Sequence, residues 1–149
     1  MAGTFTADVD AWVRKSKKRM LVVIQQSAQD VISLSQKPVG AGGNMPVDTG
    51  FLRASLTTTL NSPASGYKAK ARFEPNAYSA EVSGAAAQYT LTINRMKLGD
   101  TVYAVYLANY AWFQEYGTKF MAGKGFVRLA AQQWPRIVAN NVRLARNIT

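Results

Sequence analysis

The chain has 149 residues, 48% of them hydrophobic, and a formal net charge of +10 with a sequence pI of about 10.1. That length fits one compact domain, and the excess of lysine and arginine attracts polyanions or acidic protein surfaces. The absence of cysteine and histidine excludes disulfides, thiolate and imidazole metal sites, and catalysis of the Ser-His-Asp and Cys-His types, so we predict no metal and no cofactor.

The N-terminal quarter predicts one long amphipathic helix over residues 6–36. This stretch contains neither proline nor glycine, and its apolar side chains recur at steps of three and four residues. Thr6 is a suitable N-cap, and Pro38 ends the pattern. The helix would be about 45 Å long, which is longer than the core of a small domain can cover, so part of it should contact another chain. Five basic residues crowd its second and third turns: Arg14, Lys15, Lys17, Lys18 and Arg19.

The middle of the chain is predicted to alternate between loops and short elements. A glycine-rich loop over residues 38–46 leads to a segment in which Asp48 or Thr49 can cap a short helix or turn. The β-branched residues of 55–60 predict a strand. Residues 61–83 predict a flexible loop or an exposed hairpin, with basic positions at Lys68, Lys70 and Arg72. For residues 85–96 we favour a helix or an irregular turn that ends at Gly99.

The C-terminal part predicts a central strand, a short helix and a second long helix. Residues 101–107 are continuously apolar and aromatic, as in a central strand. Residues 110–116 predict a short helix ended by Gly117 in the left-handed conformation. Residues 126–147 predict an amphipathic helix kinked at Pro135. These elements predict a single α+β domain, residues 1–149, whose small antiparallel or mixed sheet is packed by the long N-terminal and C-terminal helices.

Two motifs resemble fragments of enzyme sites. Asp48-Thr49-Gly50 matches half of an aspartic protease, but that chemistry needs a second such carboxylate, and the sequence has no second Asp-Thr-Gly. Gly123-Lys124-Gly125 lacks the spacing and the following serine or threonine of a phosphate loop. We interpret the first as a capping turn and the second as a loop that contacts the next subunit.

Glu115 is the strongest candidate for acid–base chemistry, because it lies in an aromatic stretch where burial would favour a general acid. A glycosidase would need a second carboxylate, for which Asp100 and Glu81 are the candidates. An ion pair with Arg53 or Arg128 is the interpretation that we favour. We therefore predict no catalytic residue.

Three blocks occur in a fixed order: Pro46 to Ser55, Met96 to Tyr103, and Tyr110 to Thr118 continuing to Leu129. Together they resemble the family of small virion proteins called neck, tail-completion or minor tail components of long-tailed bacteriophages. The resemblance covers residues 46–149, behind a long N-terminal helix of the expected kind. Its motif positions are Asp48, Thr49, Gly50, Leu52, Arg53, Gly99, Asp100, Tyr110, Ala111, Glu115, Tyr116, Gly117, Phe126 and Arg128.

The resemblance implies a structural protein of the virion neck or tail, made in the host bacterial cytoplasm. It implies a homo-oligomeric ring, expected to be six-fold, that joins the connector to the tail-tube or tail-terminator proteins around the DNA channel. The basic positions named above on the first helix and on residues 68–72 would meet double-stranded DNA or acidic neighbours. No apolar run is long enough for a membrane span. The alternative is a small basic DNA-binding accessory or regulatory protein.

Overall fold

The computed structural model describes the backbone of residues 2–147 and the side chains of residues 4–147. The fold is α+β, as predicted, and 57% of the chain is helical. The elements follow one another as α1 (Ala2–Gln36), α2 (Phe51–Ala54), β1 (Leu56–Leu60), α3 (Ser79–Arg95), β2 (Val102–Tyr106), α4 (Ala111–Tyr116), β3 (Gly117–Thr118), β4 (Met121–Ala122), α5 (Phe126–Gln132) and α6 (Trp134–Ala145). A 3-10 turn, Val39–Ala41, lies in the glycine-rich loop.

Helix α1 is the long N-terminal helix that the sequence predicts, although it begins earlier. It starts at Ala2, so Thr6 lies inside the helix and is not its N-cap. Nothing before Thr6 stops a helix once the following turns have formed, since propagation costs little after nucleation. The C-terminal half of α1 carries its buried positions, among them Ser27 and Ile32. Asn141 of α6 donates hydrogen bonds to Ser27 Oγ at 3.1 Å and to Asp30 Oδ2 at 2.9 Å.

Strands β1 and β2 form a two-stranded antiparallel sheet, with Leu56 opposite Tyr106 and Leu60 opposite Val102. The prediction of a central position for β2 is wrong, because β2 pairs with β1 alone within residues 2–147. Its apolar side chains contact helices rather than flanking strands. The Tyr106 ring, for example, meets Phe126 of α5 edge-on with 5.1 Å between centroids.

The segment before α3 ends at Tyr78, earlier than the predicted loop of residues 61–83. Helix α3 starts at Ser79, and its buried Ala85 and Ile93 pack with α1 and β1, so packing overrides the strand preference of residues 89–93. Residues 61–78 form no hairpin. They are held by an isolated parallel bridge between Lys68 and Ala108.

The predicted C-terminal helix is divided in two instead of being kinked. Helix α5 ends at Gln132 and α6 begins at Trp134. Pro135 lies in the first turn of α6, where its missing N–H has no intrahelical partner to lose. The break turns α6 so that it runs back along α1.

Two apolar clusters form the core. The first joins α1, β1 and α3 through residues that include Ile32, Leu56 and Ile93. The second surrounds Phe51 and Phe126 at the other end of the sheet. Within residues 2–147, none of the helices combines the length and the apolar character that a membrane span requires.

Candidate assembly interface

The first and third blocks meet in one region of the core, whereas Met96 of the second block belongs to the other apolar cluster. Phe51 of the first block belongs to the same apolar cluster as Tyr110 and Phe126 of the third. The ring centroids of Phe51 and Tyr110 are 6.0 Å apart. Ala111 packs against this cluster too. The blocks therefore build a scaffold, and the surfaces that it presents are the candidates for function.

Residues 48–53 form a turn followed by α2. The Thr49 hydroxyl accepts a hydrogen bond from the Phe51 N–H at 3.2 Å, in agreement with the capping interpretation. The carbonyls of Asp48 and Thr49 accept hydrogen bonds from the backbone of Asn76 and Tyr78. The turn thus anchors the end of the long irregular segment and gives no sign of a protease dyad.

Of the two arginines predicted as partners of Glu115, Arg53 does not pair with it. Gly50, with a φ of 86°, turns the chain so that Leu52 is buried and Arg53 lies half-buried beside α1. The Arg53 carbonyl accepts a hydrogen bond from Gln36 at 3.1 Å. The buried Nε of the Arg53 side chain has no hydrogen-bond partner among the described residues. The side chain lines a cavity of about 430 Å³ bounded by α1, α2 and α3.

Glu115 pairs with Arg128, the other predicted partner. Its Oε1 accepts hydrogen bonds from the Arg128 N–H at 2.8 Å and from the Arg128 Nε at 3.0 Å, and its Oε2 accepts one from Val127 at 2.9 Å. The carboxylate, 6% exposed, therefore caps the first turn of α5, where the helix dipole favours negative charge. This network occupies both oxygens and assigns Glu115 a structural role.

Asp100 closes the turn between α3 and β2. Gly99 has a φ of 97°, and Asp100 accepts hydrogen bonds from the Lys97 N–H at 2.8 Å and the Asn61 side chain at 3.2 Å. The Lys97 bond first and the Asn61 bond second hold the pKa of this carboxyl below its ordinary value. Glu81 forms an ion pair with Arg72. Asp100 and Glu81, the two candidates for a second carboxylate, are therefore each held by their own neighbours.

A small hairpin, β3 and β4, projects between α4 and α5. Gly117 ends α4 with a φ of 86°, but its ψ of -179° is extended, so the predicted left-handed helical conformation is wrong in ψ. A Cβ there would lie 2.5 Å from the Gly123 nitrogen. Lys124 and Gly125 bond back to the carbonyls of Gln114 and Glu115. Phe120 lies at the tip and is 87% exposed. With three exposed side chains of α4 it forms what we call the aromatic surface: Trp112, Phe113, Tyr116 and Phe120.

A second exposed apolar region lies on the N-terminal half of α1, which we call the projecting segment, residues 4–20. None of its residues is buried. Phe5 is 72% exposed and Trp12 is 69% exposed. The basic cluster lies on the same segment: Arg14, Lys15, Lys17 and Lys18 are exposed, and Arg19 is half-buried. Apolar and cationic surface thus occur together on a helix that extends beyond the body.

The other predicted basic group is not part of this cluster. Lys68 is held by its backbone against Leu107 and Asn109. The Lys70 ammonium lies 5.6 Å from the Tyr110 ring centroid, and the Arg72 guanidinium lies 4.1 Å from that of Tyr78. These contacts place residues 68–72 near α4. The two predicted groups of DNA contacts therefore belong to different regions of the fold.

The two edges of the main sheet differ. At the outer edge of β1, the Gln88 amide of α3 bonds both backbone groups of Thr58 and takes the place of a strand. Within the described part of the chain no strand pairs with the outer edge of β2. Val102 and Ala104 of β2 line a groove of about 350 Å³ with Trp134 and residues of α1.

Sequence reasoning missed the buried polar side chains that fix these elements. Tyr106 shares hydrogen bonds with Ser35 at 2.8 Å and with Gln36 at 2.9 Å. Asn141 joins α6 to α1. A polar residue on an otherwise apolar helical face was the available signal, and both Ser27 and Asn141 show it.

Among residues 2–147 there is no group of three or more acidic, histidine or cysteine side chains that could hold a metal ion. Comparisons of the chain with protein-family models, with curated proteins and with solved structures found no match.

Proposed function

We propose that this chain is a structural subunit of the head–tail junction of a long-tailed bacteriophage, where copies of it form a ring around the DNA channel. The resemblance of the three sequence blocks to neck and tail-completion proteins suggests this role. The packing of the first and third blocks around Phe51, Tyr110 and Phe126 supports a structural interpretation of the motif.

The observation that carries the proposal is the placement of exposed apolar side chains on two separate regions. The aromatic surface includes Trp112 and Phe120, while the projecting segment includes Phe5 and Trp12. Contiguous exposed apolar surface marks interaction sites in soluble proteins. The aromatic surface and the edge of β2 that is unpaired among the described residues are different patches of one chain. Different patches suit head-to-tail contacts, which close into rings when the rotation between neighbours permits.

The free edge of β2 offers a further assembly contact. Its backbone groups lie beside the groove that Trp134 and Val102 line, and an unpaired edge accepts a strand from another chain. The edge of β1 is closed by Gln88, so strand addition would occur on one side of the sheet. A sheet that is open at one edge only is directional, as the contact between neighbours in a ring of identical subunits must be.

Charge supports a location near DNA or acidic neighbours. The net charge of +10 is multiplied in a ring, and phosphate contacts require no recognition of bases. The cations for such contacts are exposed on α1, so binding a phosphate would not break a buried contact: Arg14, Lys15, Lys17 and Lys18.

The test is deletion of the gene from the phage genome that carries it. We expect filled heads and separate tails that do not join, and recovery of infectious particles when the chain is supplied from a plasmid. Double replacement of Trp112 and Phe120 by serine should fail to restore joining, whereas serine at exposed Leu98, outside both surfaces, should restore it. Joined, infectious particles without the chain would refute the proposal.

The exposed basic cluster also supports the alternative of a DNA-binding accessory protein. That protein would bind free duplex with an affinity that falls steeply as salt rises, and it would be absent from purified virions. Mass spectrometry of purified particles separates the two functions.

A further inference from the structure

We infer that the projecting segment of α1 pairs with the same segment of a second copy as a short antiparallel coiled coil. The inference does not depend on the virion role, because it follows from the pattern of one exposed helix. It starts from the way in which α6 covers α1.

Helix α6 runs antiparallel to α1 and stops before it has covered the apolar side of that helix. Asn141 bonds to Ser27, and Ala145 at the end of α6 shares a groove with Met20 and Val23. Toward the N-terminus, within the part of the chain that the structure describes, the same side of α1 leaves Phe5, Val9 and Trp12 exposed and Ser16 half-buried. A helix that continued the path of α6 would complete it.

The uncovered positions have the spacing of a coiled-coil seam. Phe5, Val9, Trp12 and Ser16 follow one another at steps of four, three and four residues, as the d and a positions of successive heptads do. The basic side chains of the segment lie mainly on the remaining faces of the helix, since their numbers fall between these steps. A partner helix can therefore contact the seam while most of the cations stay in water.

Two copies of this seam complement each other when they run in opposite directions. In one register Phe5 faces Ser16 of the second copy and Val9 faces Trp12, and two-fold symmetry repeats both layers. Each layer then combines a large side chain with a smaller one, which favours interdigitation. Four aromatic rings, each burying roughly 150–250 Å², approach the roughly 1,000 Å² that a specific interface requires.

Charge selects the same register and direction. Asp8 and Lys15 are seven residues apart and occupy the same flanking position of successive heptads. In the antiparallel register Asp8 of each copy lies beside Lys15 of the other. A parallel pair would instead place the two basic clusters, residues 14–19, side by side, where like charges repel.

The paired α1 of the second copy would begin close to Ala145, where α6 ends, and would point in the same direction. Such a contact is isologous: it makes a dimer, or joins two rings face to face, but it does not close a ring.

Disulfide trapping tests the pairing directly, because the chain has no cysteine of its own. In the double variant Phe5→Cys, Ser16→Cys, mild oxidation should give a covalent dimer. Each single variant should remain largely monomeric on a non-reducing gel, since antiparallel pairing keeps identical positions apart. The matched control Phe5→Cys, Lys18→Cys moves the second thiol off the seam and should crosslink poorly.

Two outcomes would overturn the inference. Efficient crosslinking of Ser16→Cys alone would indicate a parallel pair, and absence of dimer from the double variant would remove the pairing altogether. Sedimentation velocity gives an independent check: Trp12→Ser should raise the dimer Kd by more than about tenfold. Asp8→Lys should weaken the dimer, and adding Lys15→Asp should restore it. Circular dichroism spectra that match the wild type below the unfolding transition would show that the body of each variant remains folded, as expected for exposed positions.

Discussion

Glu115 accepts hydrogen bonds from the backbone and the guanidinium of Arg128, and the same carboxylate receives the Val127 N–H. One acid at the end of α4 thereby caps the start of α5 and fixes the hairpin between the two helices. Because the Arg128 side chain is half exposed while that of Glu115 is buried, the two partners contribute unequally to the free energy of unfolding.

Replacing Glu115 with glutamine should reduce the free energy of unfolding by about 1.5–3 kcal/mol, as expected for hydrogen bonds to a charged group. The amide also turns a donor toward backbone N–H groups that need acceptors. Arg128→Ala should cost about 1 kcal/mol or less, because solvent screens the exposed half of the pair. Urea unfolding followed by circular dichroism measures both. A larger loss for Arg128→Ala would contradict the capping role.

Gly117→Ala should destabilise the protein far more than Gly99→Ala, although both glycines have positive φ, 86° and 97°. At Gly99 an added Cβ meets nothing within 4 Å, so the cost is backbone strain of about 1–2 kcal/mol. At Gly117 the Cβ would lie 2.5 Å from the Gly123 nitrogen, which forces the hairpin apart. The ψ of -179° at Gly117 adds backbone strain to this clash, because that region is open essentially to glycine alone. Thermal unfolding measures both variants, and equal shifts in Tm would argue against this hairpin geometry.

Gln88→Leu should leave the Thr58 amide without its acceptor and cost about 1–3 kcal/mol, since Thr58 is 1% exposed. The Thr92 hydroxyl, 3.4 Å from the Thr58 carbonyl, still reaches the other backbone group. The sharper readout is therefore hydrogen exchange of the Thr58 amide, which should become faster. Gln132→Leu, at an exposed position of α5, is the matched control and should leave that amide unchanged.

Stability should fall at alkaline pH through Tyr106. Burial raises the pKa of its hydroxyl above the ordinary value of 10.0, although the hydrogen bond with Ser35 opposes the change. A folded-state pKa above the unfolded one gives stability that is complete below pH 10 and is lost as the pH rises from there toward the raised value.

Tyr106→Phe removes this titration together with the hydrogen bonds to Ser35 and Gln36. The variant should be less stable than the wild type by about 1–3 kcal/mol at pH 8, and the difference should shrink as the pH rises above 10. Urea unfolding of both proteins across this range measures the gap, and the other tyrosines contribute equally to both. A gap that stays constant with pH would rule out the titration.

The long helix, the two strands of the main sheet, the turn at Gly99 and the end of α4 at Gly117 could be predicted because local chemistry determines them. Helical spacing needs no tertiary contact to be visible, and neither does a glycine after an apolar helix. The favoured helix over residues 85–96 is confirmed, but its start at Ser79 could not be predicted, because residues 61–83 had the composition of a loop or hairpin.

The choice between Arg53 and Arg128 as the partner of Glu115 was likewise beyond the sequence. Both arginines lie in the motif, and their spacing to Glu115 along the chain says nothing of distance in space. The hairpin that returns the chain from Gly117 to Gly125 brings Arg128 to the carboxylate, while Arg53 is directed to α1 by the turn at Gly50. Long-range packing decides such pairs.

DNA binding, if the basic cluster mediates it, should depend on α1 much more than on residues 68–72. Each phosphate contact contributes about 0.9 to the slope of log K against log salt, so neutralising Arg14, Lys15, Lys17 and Lys18 should lower the slope by roughly 3–4. Neutralising Lys70 and Arg72 should change it less, because both cations already lie over aromatic rings. Fluorescence anisotropy with a labelled duplex at several salt concentrations measures both slopes. Equal losses from the two groups would place the DNA along a path that includes α4, and would contradict a dominant role of the α1 cluster.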